Sequence, residues 1–232
     1  MVTMLSFLRN VCQPCDQFVC VNCGWKADTL FKYYSPSVLK LSQCVNCHEP
    51  VDKYVEYDTT IIVIDVILQK LGAYRHILYN SSFQSYWKLM LLNILSETYR
   101  KWNQMNNNAQ SQLEVEWNFY LIFFISLFEW MFFVVLIFIL TYITMRYSKN
   151  YVPFHFTYSN LFKGIILGGC GSLLNIPVSI WAQSQEDTFV TMLTFLLYGS
   201  YTQCYRAATG STALVSYIVV FISYTIKMFW LS

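Results

Sequence analysis

The sequence predicts a small N-terminal zinc ribbon built of β-strands, then an amphipathic helical segment, then an all-α multi-pass transmembrane bundle. Two Cys-x-x-Cys pairs near the N-terminus predict the ribbon. Only 12% of the 232 residues are charged, about half the fraction usual in soluble domains. The charges are unevenly placed, because residues 119–232 hold five Lys or Arg and three Asp or Glu. The second half of the chain is therefore expected to lie in a membrane.

The two cysteine pairs are separated by twenty residues, a spacing typical of one structural zinc site. Each pair belongs to a Cys-Val-Asn-Cys repeat, which indicates a tight turn with its backbone towards the metal. Four thiolates complete a tetrahedral shell and leave no open position for a substrate, so a structural Zn²⁺ is expected. The predicted ligands are Cys20, Cys23, Cys44 and Cys47.

The predicted ribbon covers residues 18–58 and comes after an N-terminal extension at 1–17. Between the cysteine pairs, residues 29–34 and 38–42 have the composition of short β-strands, with a Ser-Pro-Ser turn between them. So short a segment buries too little apolar surface to fold alone. Metal binding is expected to supply the missing stability.

A third pair, Cys12 and Cys15, competes for the metal. Only four residues separate Cys15 from Cys20, too few for a hairpin between two metal-binding turns. We expect this pair to be reduced, or to share the metal only occasionally. A disulfide-stapled extracellular domain is the alternative for the whole cluster. Residues 1–10 lack the apolar run and cleavage site of a secretory signal peptide, which favours a ribbon in the reducing cytosol.

The charge pattern argues against nucleic acid as a partner, because residues 1–60 hold five basic and six acidic residues. No nucleophile–base arrangement, phosphate-binding glycine loop or catalytic carboxylate pair is recognisable, so we expect a protein that is not an enzyme. The acidic residues Asp52, Glu56 and Asp58 are expected to be solvated. His48 comes directly after a predicted ligand and is interpreted as a solvated residue, a replacement ligand or a hydrogen-bond donor to the ligands.

Residues 59–102 are expected to form amphipathic helices in the membrane interface. The apolar run that starts at residue 61 is interrupted by charges at helical spacing. The run at 86–95 is too short to cross a bilayer alone, and is either interfacial or half of a re-entrant hairpin. Arg75 and His76 are candidates for contact with lipid headgroups.

A polar, low-complexity linker is predicted at 103–116, and the transmembrane bundle at 117–232. Four apolar runs in the bundle are candidates for crossing a bilayer of ~30 Å, and the third is the shortest. Short linkers before and after the third run predict antiparallel neighbours. The predicted spans are about 119–143, 161–182, 188–205 and 211–230.

Glycines and polar residues inside the spans are candidate lipid or partner contacts. Gly164 and Gly168 form a face on which another helix can pack closely, either from the same chain or from a partner. Asn175 and Pro177 interrupt the same span, as a simple kink or as a broken helix that lines a cavity. Glu129 lies mid-span and needs a polar partner, such as Asn175 or a group on a neighbouring protein.

Two arguments about orientation conflict. The basic loop around Arg146 and Lys149 belongs in the cytosol by the positive-inside rule. A single crossing at 119–143 would then put the ribbon on the opposite side. Either residues 61–102 contain another crossing, or these few charges mislead. We give more weight to the need of the thiols for a reducing compartment.

A long string that starts at the second cysteine pair resembles a known family. It reads Cys-x-x-Cys-x-x-Pro-Val-Asp-Lys-Tyr-x-Glu-Tyr-Asp over residues 44–58 and reaches Ala-Tyr-Arg-His-Ile-Leu-Tyr-Asn over 73–80. Across about residues 18–80 the chain closely resembles the Arv family, the proteins named as ACAT-related and required for viability. In that family the paired cysteines match the four predicted ligands, and Cys12 and Cys15 lie outside the pattern.

The resemblance implies an endoplasmic-reticulum membrane protein needed for sterol distribution, sphingolipid balance and early glycosylphosphatidylinositol (GPI) anchor synthesis. Two functions are compatible with it. In the first, the chain moves or presents a membrane lipid, a sterol or a GPI precursor, along a path lined by Glu129 and Asn175. In the second, it is a non-catalytic scaffold that stabilises the GPI N-acetylglucosaminyltransferase complex through the face of Gly164 and Gly168.

Overall fold

The computed structural model describes residues 18–35, 38–106, 112–147, 156–181 and 186–231. Short strands come first, and helices make up most of the rest of the described chain. The strands are β1 Phe18–Val19, β2 Lys26–Ala27, β3 Phe31–Ser35 and β4 Val38–Leu41. The α-helices are α1 Thr59–Ile67, α2 Leu71–Arg75, α3 Tyr86–Asn106, α4 Gln112–Tyr147, α5 Tyr158–Gly168, α6 Asn175–Trp181, α7 Glu186–Thr209 and α8 Ala213–Leu231. Two 3₁₀ turns, Lys53–Glu56 and Gly169–Leu174, and one π-helical turn, His76–Asn80, connect them.

The N-terminal strand region consists of two antiparallel hairpins. β1 pairs with β2, and β3 pairs with β4, whose bounds lie within two residues of the predicted strands. The β1–β2 hairpin was not predicted, because strands of two residues have no readable periodicity. The predicted extension with Cys12 and Cys15, and the turn at 36–37, lie outside the described residues. The core of the strand region is formed by Cys20, Ala27, Leu30, Cys44 and Val51.

Residues 71–80 lie between the strand region and the bundle. On one side, Ala73 packs with Val21 and Tyr54 of the strand region. On the other side, Tyr74 packs with Leu167 and Cys204 of the bundle. The structure thus differs from the predicted arrangement, in which this segment lies flat in the membrane interface. Its polar side chains are buried because they find partners inside the protein.

α3 also departs from the prediction, since the short apolar run at 86–95 is the start of a helix of 21 residues. The helix packs along α4 and against the Gly169–Leu174 turn. It continues through the first residues of the predicted linker, and α4 begins at Gln112, within that linker. Polar side chains interrupt the hydrophobic pattern of α3, but several of them are buried: Asn93, Ser96 and Thr98.

Two stretches among the described residues are long and apolar enough to cross a membrane. They are Glu116–Tyr147 and Tyr158–Ser179, which correspond to the first and second predicted spans. The Ala213–Lys227 part of α8 is apolar but shorter. α7, at the third predicted span, is 24 residues long, but its composition is not apolar enough for it to count as such a stretch.

The second predicted span stays helical throughout its described residues, but its geometry changes to 3₁₀ before the position where an interruption was expected. α5 ends at Gly168, and a 3₁₀ turn precedes α6. Pro177 lies in the first turn of α6, where its fixed φ suits a helix. The end of α5, just before the 3₁₀ turn, is held by α3, because Asn93 Nδ2 donates to the Ile166 carbonyl at 2.9 Å. A Cβ on Gly169 would lie 2.7 Å from that nitrogen, so the close approach requires glycine.

Candidate functional site

The four predicted zinc ligands come together in the structure. Their sulfur atoms all lie within 4.8 Å of one another, and the cysteines are free thiols. The Sγ atoms of Cys20 and Cys47 are 3.7 Å apart, and those of Cys23 and Cys44 are 3.6 Å apart. Two sulfurs bound at ~2.3 Å to one tetrahedral zinc would be about 3.8 Å apart. The cluster is therefore compatible with a single tetrahedral metal ion.

Two matching turns hold the cysteines. In the first, the Cys20 amide donates to the Trp25 carbonyl at 2.8 Å, and the Gly24 amide donates to the Cys20 carbonyl at 2.9 Å. In the second turn the same two bonds recur 24 residues later, at 2.8 and 3.0 Å. The repeat seen in the sequence is thus a repeat of backbone geometry.

The residue after the second cysteine of each turn adopts a left-handed backbone. Gly24 has a φ of +78°, and His48 has a φ of +59°. Glycine takes this conformation freely, whereas a residue with a Cβ is destabilised by ~1 kcal/mol. His48 is exposed and does not belong to the cysteine cluster. Its position is that of a turn residue, and the interpretation as a replacement ligand has no geometric support among the described residues.

The thiols of Cys20 and Cys23 differ in acidity. Cys20 and Cys44 are buried, while the other two lie nearer the surface. Burial raises the pKa of Cys20 to about 12. Burial also acts to raise the pKa of Cys23, but hydrogen bonds from the Trp25 backbone and the Asn46 side chain outweigh it and lower the pKa to about 7. A metal ion must displace the proton of the buried thiol, so metal binding should release protons.

Arg75 is buried and holds the first metal-binding turn. Its Nη1 donates to the carbonyls of Val21 and Asn22, at 3.1 and 2.6 Å. A Cβ on Gly24 would lie 3.2 Å from Nη2, so the glycine also makes room for the guanidinium. The sequence suggested a lipid headgroup as the partner of Arg75. In the structure its partner is the backbone between two cysteines.

Asp52 is fully buried, contrary to the prediction that it is solvated. Its Oδ2 accepts from His76 Nδ1 and from Asn80 Nδ2, both at 2.7 Å. Its Oδ1 accepts from the Tyr54 amide at 2.9 Å and so caps the 3₁₀ turn. His76, the second headgroup candidate, is therefore also committed to the strand region. These bonds attach that region to the π-helical turn.

A second polar contact ties the strand region to α1. Tyr54 donates its hydroxyl to Asp65 Oδ2 at 2.9 Å, and Lys70 Nζ lies 2.7 Å from Oδ1. The hydrogen bond from Lys70 lowers the pKa of Asp65 and, with that from Tyr54, outweighs its burial. Both carboxylate oxygens are thus satisfied in the charged form.

A separate site lies inside the bundle, where charged residues line a cavity of about 230 Å³. The buried Glu129 carboxylate pairs with Lys101 Nζ at 2.5 Å, so its partner is a lysine of α3 and not Asn175. Asn175 instead donates to Glu97 Oε2 at 3.2 Å. The sequence placed Glu129 and Asn175 on one path, and both line this cavity. Its walls are formed by Glu97, Arg100, Lys101, Glu129, Asn175, Val190, Leu193, Thr194, Leu197, Tyr224 and Lys227.

The remaining charged residues of the cavity are Glu97, Arg100 and Lys227. Arg100 Nη2 lies 2.6 Å from Glu97 Oε1, one turn along the same helix. Lys227 of α8 lies over the rings of Phe133 and Tyr224, each with its centroid 5.9 Å from Nζ. A larger cavity of about 470 Å³, at Tyr205 and the α7–α8 turn, is lined by hydroxyl and apolar side chains. The smaller cavity is thus the one with a distinctive charge pattern.

A match to a known protein family includes most of the residues described above. Residues 19–204 match the family described as Arv1-like. The chain belongs to the Arv1-like family. The matched residues include the four cysteines, Arg75, Asp52 and the helix that contains the 3₁₀ turn, so the resemblance seen over residues 18–80 is confirmed and extended into the bundle.

Several curated Arv1 proteins are similar over much of their length. Protein ARV1 of Mus musculus is 33% identical over 208 residues, which cover 87% of this chain and 77% of the mouse protein. Protein ARV1 of Homo sapiens is 31% identical over 211 residues, with 88% and 77% covered. Protein ARV 2 of Arabidopsis thaliana is 40% identical over 111 residues, with 45% and 49% covered. No solved structure matches the chain.

In this Arv1-like chain, the face of α5 that carries Gly164 and Gly168 packs against another helix of the same chain. A Cβ on Gly164 would lie 3.4 Å from the Cys204 carbonyl oxygen, and one on Gly168 would lie 2.8 Å from the Tyr201 ring. Both glycines are buried against α7. The sequence left open whether this face packs within the chain or against a partner. In the structure it packs within the chain.

Sequence reasoning missed most partners of the residues that it selected in this Arv1-like chain. Glu97, Arg100 and Lys101 lie in the segment that was interpreted as interfacial. Their i, i+3 and i, i+4 spacing places the three charges on one face of the helix, which was a usable signal for a charged face. His76 and Asn80 likewise share one face by their spacing of four, which could have indicated a common partner.

Proposed function

We propose that this chain is a multi-pass endoplasmic-reticulum membrane protein of sterol and lipid homeostasis that binds a membrane lipid in the charged cavity. The observation that carries the proposal is this cavity, in which Glu129 and Asn175 lie among apolar helices. Ionisable side chains at such depth are costly and usually mark the path of a substrate or ion. The Arv resemblance adds the lipid context: sterol distribution, sphingolipid balance and GPI anchor synthesis.

The exposed surface of α4 supports a membrane setting for the bundle. Large apolar side chains at helical spacing are about half exposed or more along one side of the helix. In water so long an apolar patch would favour aggregation, whereas in a bilayer it would contact acyl chains. The side chains are Phe124, Phe128, Met131, Val135 and Ile139.

We assign the cysteine cluster a structural Zn²⁺. Four thiolates would fill the tetrahedral shell, so the metal would offer no open position and supply no catalysis. The first metal-binding turn is held by Arg75, and the chain that follows the second turn leads to Asp52. Zinc would therefore keep the strand region folded and attached to α2. In this proposal the protein is not an enzyme, and the ribbon faces the reducing cytosol.

The alternative function is a scaffold for the GPI N-acetylglucosaminyltransferase complex. The sequence offered the face of Gly164 and Gly168 as its contact surface. α7 fills that face, so a partner would have to use another surface, such as the exposed side of α4. The cavity has no role in this alternative, which is why we favour lipid binding.

The test is to purify the tagged chain from mild-detergent membranes and identify co-purifying lipids and proteins by mass spectrometry. We expect about one molecule of an enriched lipid per chain, and no partner protein in stoichiometric amount. A variant with Lys101→Leu and Glu129→Leu removes the buried pair without leaving an unpaired charge, and should lose the lipid. Lys163→Leu, on α5 outside the cavity, is the matched control and should retain it. A stoichiometric transferase subunit without enriched lipid would contradict lipid binding and support the scaffold.

A further inference from the structure

We infer that the charged cavity selects a lipid with an anionic, phosphate-bearing headgroup, and that Lys227 is the residue that recognises it. This inference rests on the proposed function, because it names the class of lipid that the cavity would take. Its basis is the set of charges that line the cavity and the way in which they are paired.

The cavity lining holds more positive than negative charge. Glu129 is paired with Lys101, and Glu97 is paired with Arg100. The opposite charges within each pair cancel, and Lys227 is the remaining charged residue of the described lining. Among the side chains that the structure describes, which do not include those of residues 181–187, no carboxylate lies within ion-pair distance of Lys227, so the described lining has one cation in excess.

The rings beside Lys227 compensate this charge only in part. Its Nζ lies at the outer limit of cation–π contact, 5.9 Å from the centroids of Phe133 and Tyr224. A cation away from water is attracted more strongly by an anion than by an aromatic face. An anionic group in the cavity would balance the excess charge, whereas a neutral sterol hydroxyl or a metal cation would not.

The space and the walls also suit a lipid headgroup. A volume of about 230 Å³ equals that of roughly eight liquid water molecules, enough for a phosphate group and its first substituent. Arg100 adds a planar guanidinium to the same lining, the group that best matches phosphate oxygens. The wall that α7 contributes is largely apolar, with Val190, Leu193 and Leu197. Such a wall would accommodate the start of the acyl chains.

In the experiment, the full chain is placed in nanodiscs of phosphatidylcholine that contain a small fraction of phosphatidic acid. The chain is then released into mild detergent, and native mass spectrometry compares how much of each lipid it retains. The wild type should retain phosphatidic acid over phosphatidylcholine by about tenfold or more, the effect of one charge-assisted contact. Lys227→Gln should remove this preference. Lys227→Arg, which keeps the charge, and Lys163→Gln, which removes a lysine that lies over Tyr86 outside the cavity, should both retain it.

The outcomes separate this inference from the function on which it rests. Equal retention of both lipids by the wild type, or an unchanged preference in Lys227→Gln, would overturn the inference while leaving lipid binding intact. Retention of no lipid would remove both. Inorganic phosphate is the headgroup-free probe. If phosphate binds to the chain but phosphatidic acid is not preferentially retained, the site recognises a free anion and the assignment to a lipid is wrong. Normal zinc content and a single elution peak confirm that each variant is folded.

Discussion

The side chain of Asn80 pairs with the backbone of Val19 as a neighbouring strand would. Its Oδ1 accepts from the Val19 amide at 3.0 Å, and its Nδ2 donates to the Val19 carbonyl at 2.8 Å. The same Nδ2 donates to Asp52. One buried amide at the end of the π-helical turn thus completes the edge of β1, next to the metal-binding turn.

Asn80→Ala should detach the strand region from the helices. The substitution leaves the Val19 amide and carbonyl and one Asp52 oxygen without this partner in a buried position. The expected cost is about 2–4 kcal/mol in the free energy of unfolding. Hydrogen exchange should show faster exchange at residues 18–27, with the bundle unchanged. Gln84→Ala, at an exposed position, is the control and should have no effect. Unchanged protection in Asn80→Ala would show that the metal site alone holds β1.

Cys44→Ser should lower the zinc content from about one per chain, because a structural site of four thiolates loses most of its affinity with one ligand. Residues 18–58 should then become sensitive to proteases, since the metal stabilises this small region. Cys12→Ser should change neither property. Elemental analysis and limited proteolysis measure the two effects. If Cys12→Ser behaves like Cys44→Ser, the ligand set is wrong.

His48→Gly should stabilise the metal site. His48 has a left-handed backbone, which glycine adopts without strain, so a gain of ~1 kcal/mol is expected. Resistance of the bound metal to a chelator is a suitable measurement. Gly24→Ala, at the matching position of the first turn, should weaken the site by a similar amount. A loss of zinc in His48→Gly would instead identify His48 as a ligand.

Gly199→Ala should loosen the contact that α7 makes with the loop following α1. An added Cβ would overlap the Gln69 amide, whose Nε2 donates to the Leu196 carbonyl at 2.9 Å. We expect each of Gly199→Ala and Gln69→Ala to cost about 1–2 kcal/mol, and the double variant to cost clearly less than the sum. Thermal unfolding in detergent measures the cycle. Strictly additive costs would mean that the two positions act independently.

Lys101→Met should destabilise the bundle more than the double variant with Glu129→Met. The single change leaves a buried carboxylate without its partner, at a cost of about 3–5 kcal/mol, whereas removing both charges is often neutral. The comparison of melting temperatures tests whether the pair is buried as the structure shows. Equal losses in both variants would indicate that water reaches Glu129.

Features that depend on local spacing could be predicted from the residues alone. The two Cys-x-x-Cys turns and the first two apolar spans have signatures that residues carry along the chain, so the cysteine cluster and the long apolar helices agree with expectation. The same reasoning selected Glu129 and Asn175 as unusual, because a polar residue in an apolar run is visible without a structure. It placed an interruption of the second span at Asn175 and Pro177. The 3₁₀ geometry begins instead at Gly169, just after the contact with α3 that holds the end of α5.

The partners of these residues could not be predicted, because they depend on the packing of the folded chain. Lys101 reaches Glu129 across 28 residues of sequence, Asn80 reaches Val19 across 61, and Gln69 reaches Leu196 across 127. Such pairs have no spacing rule, because they depend on how whole helices pack. A buried polar group must find a partner wherever the fold brings one. For that reason Arg75 and His76, which resemble headgroup ligands in sequence, hold the strand region in the folded protein.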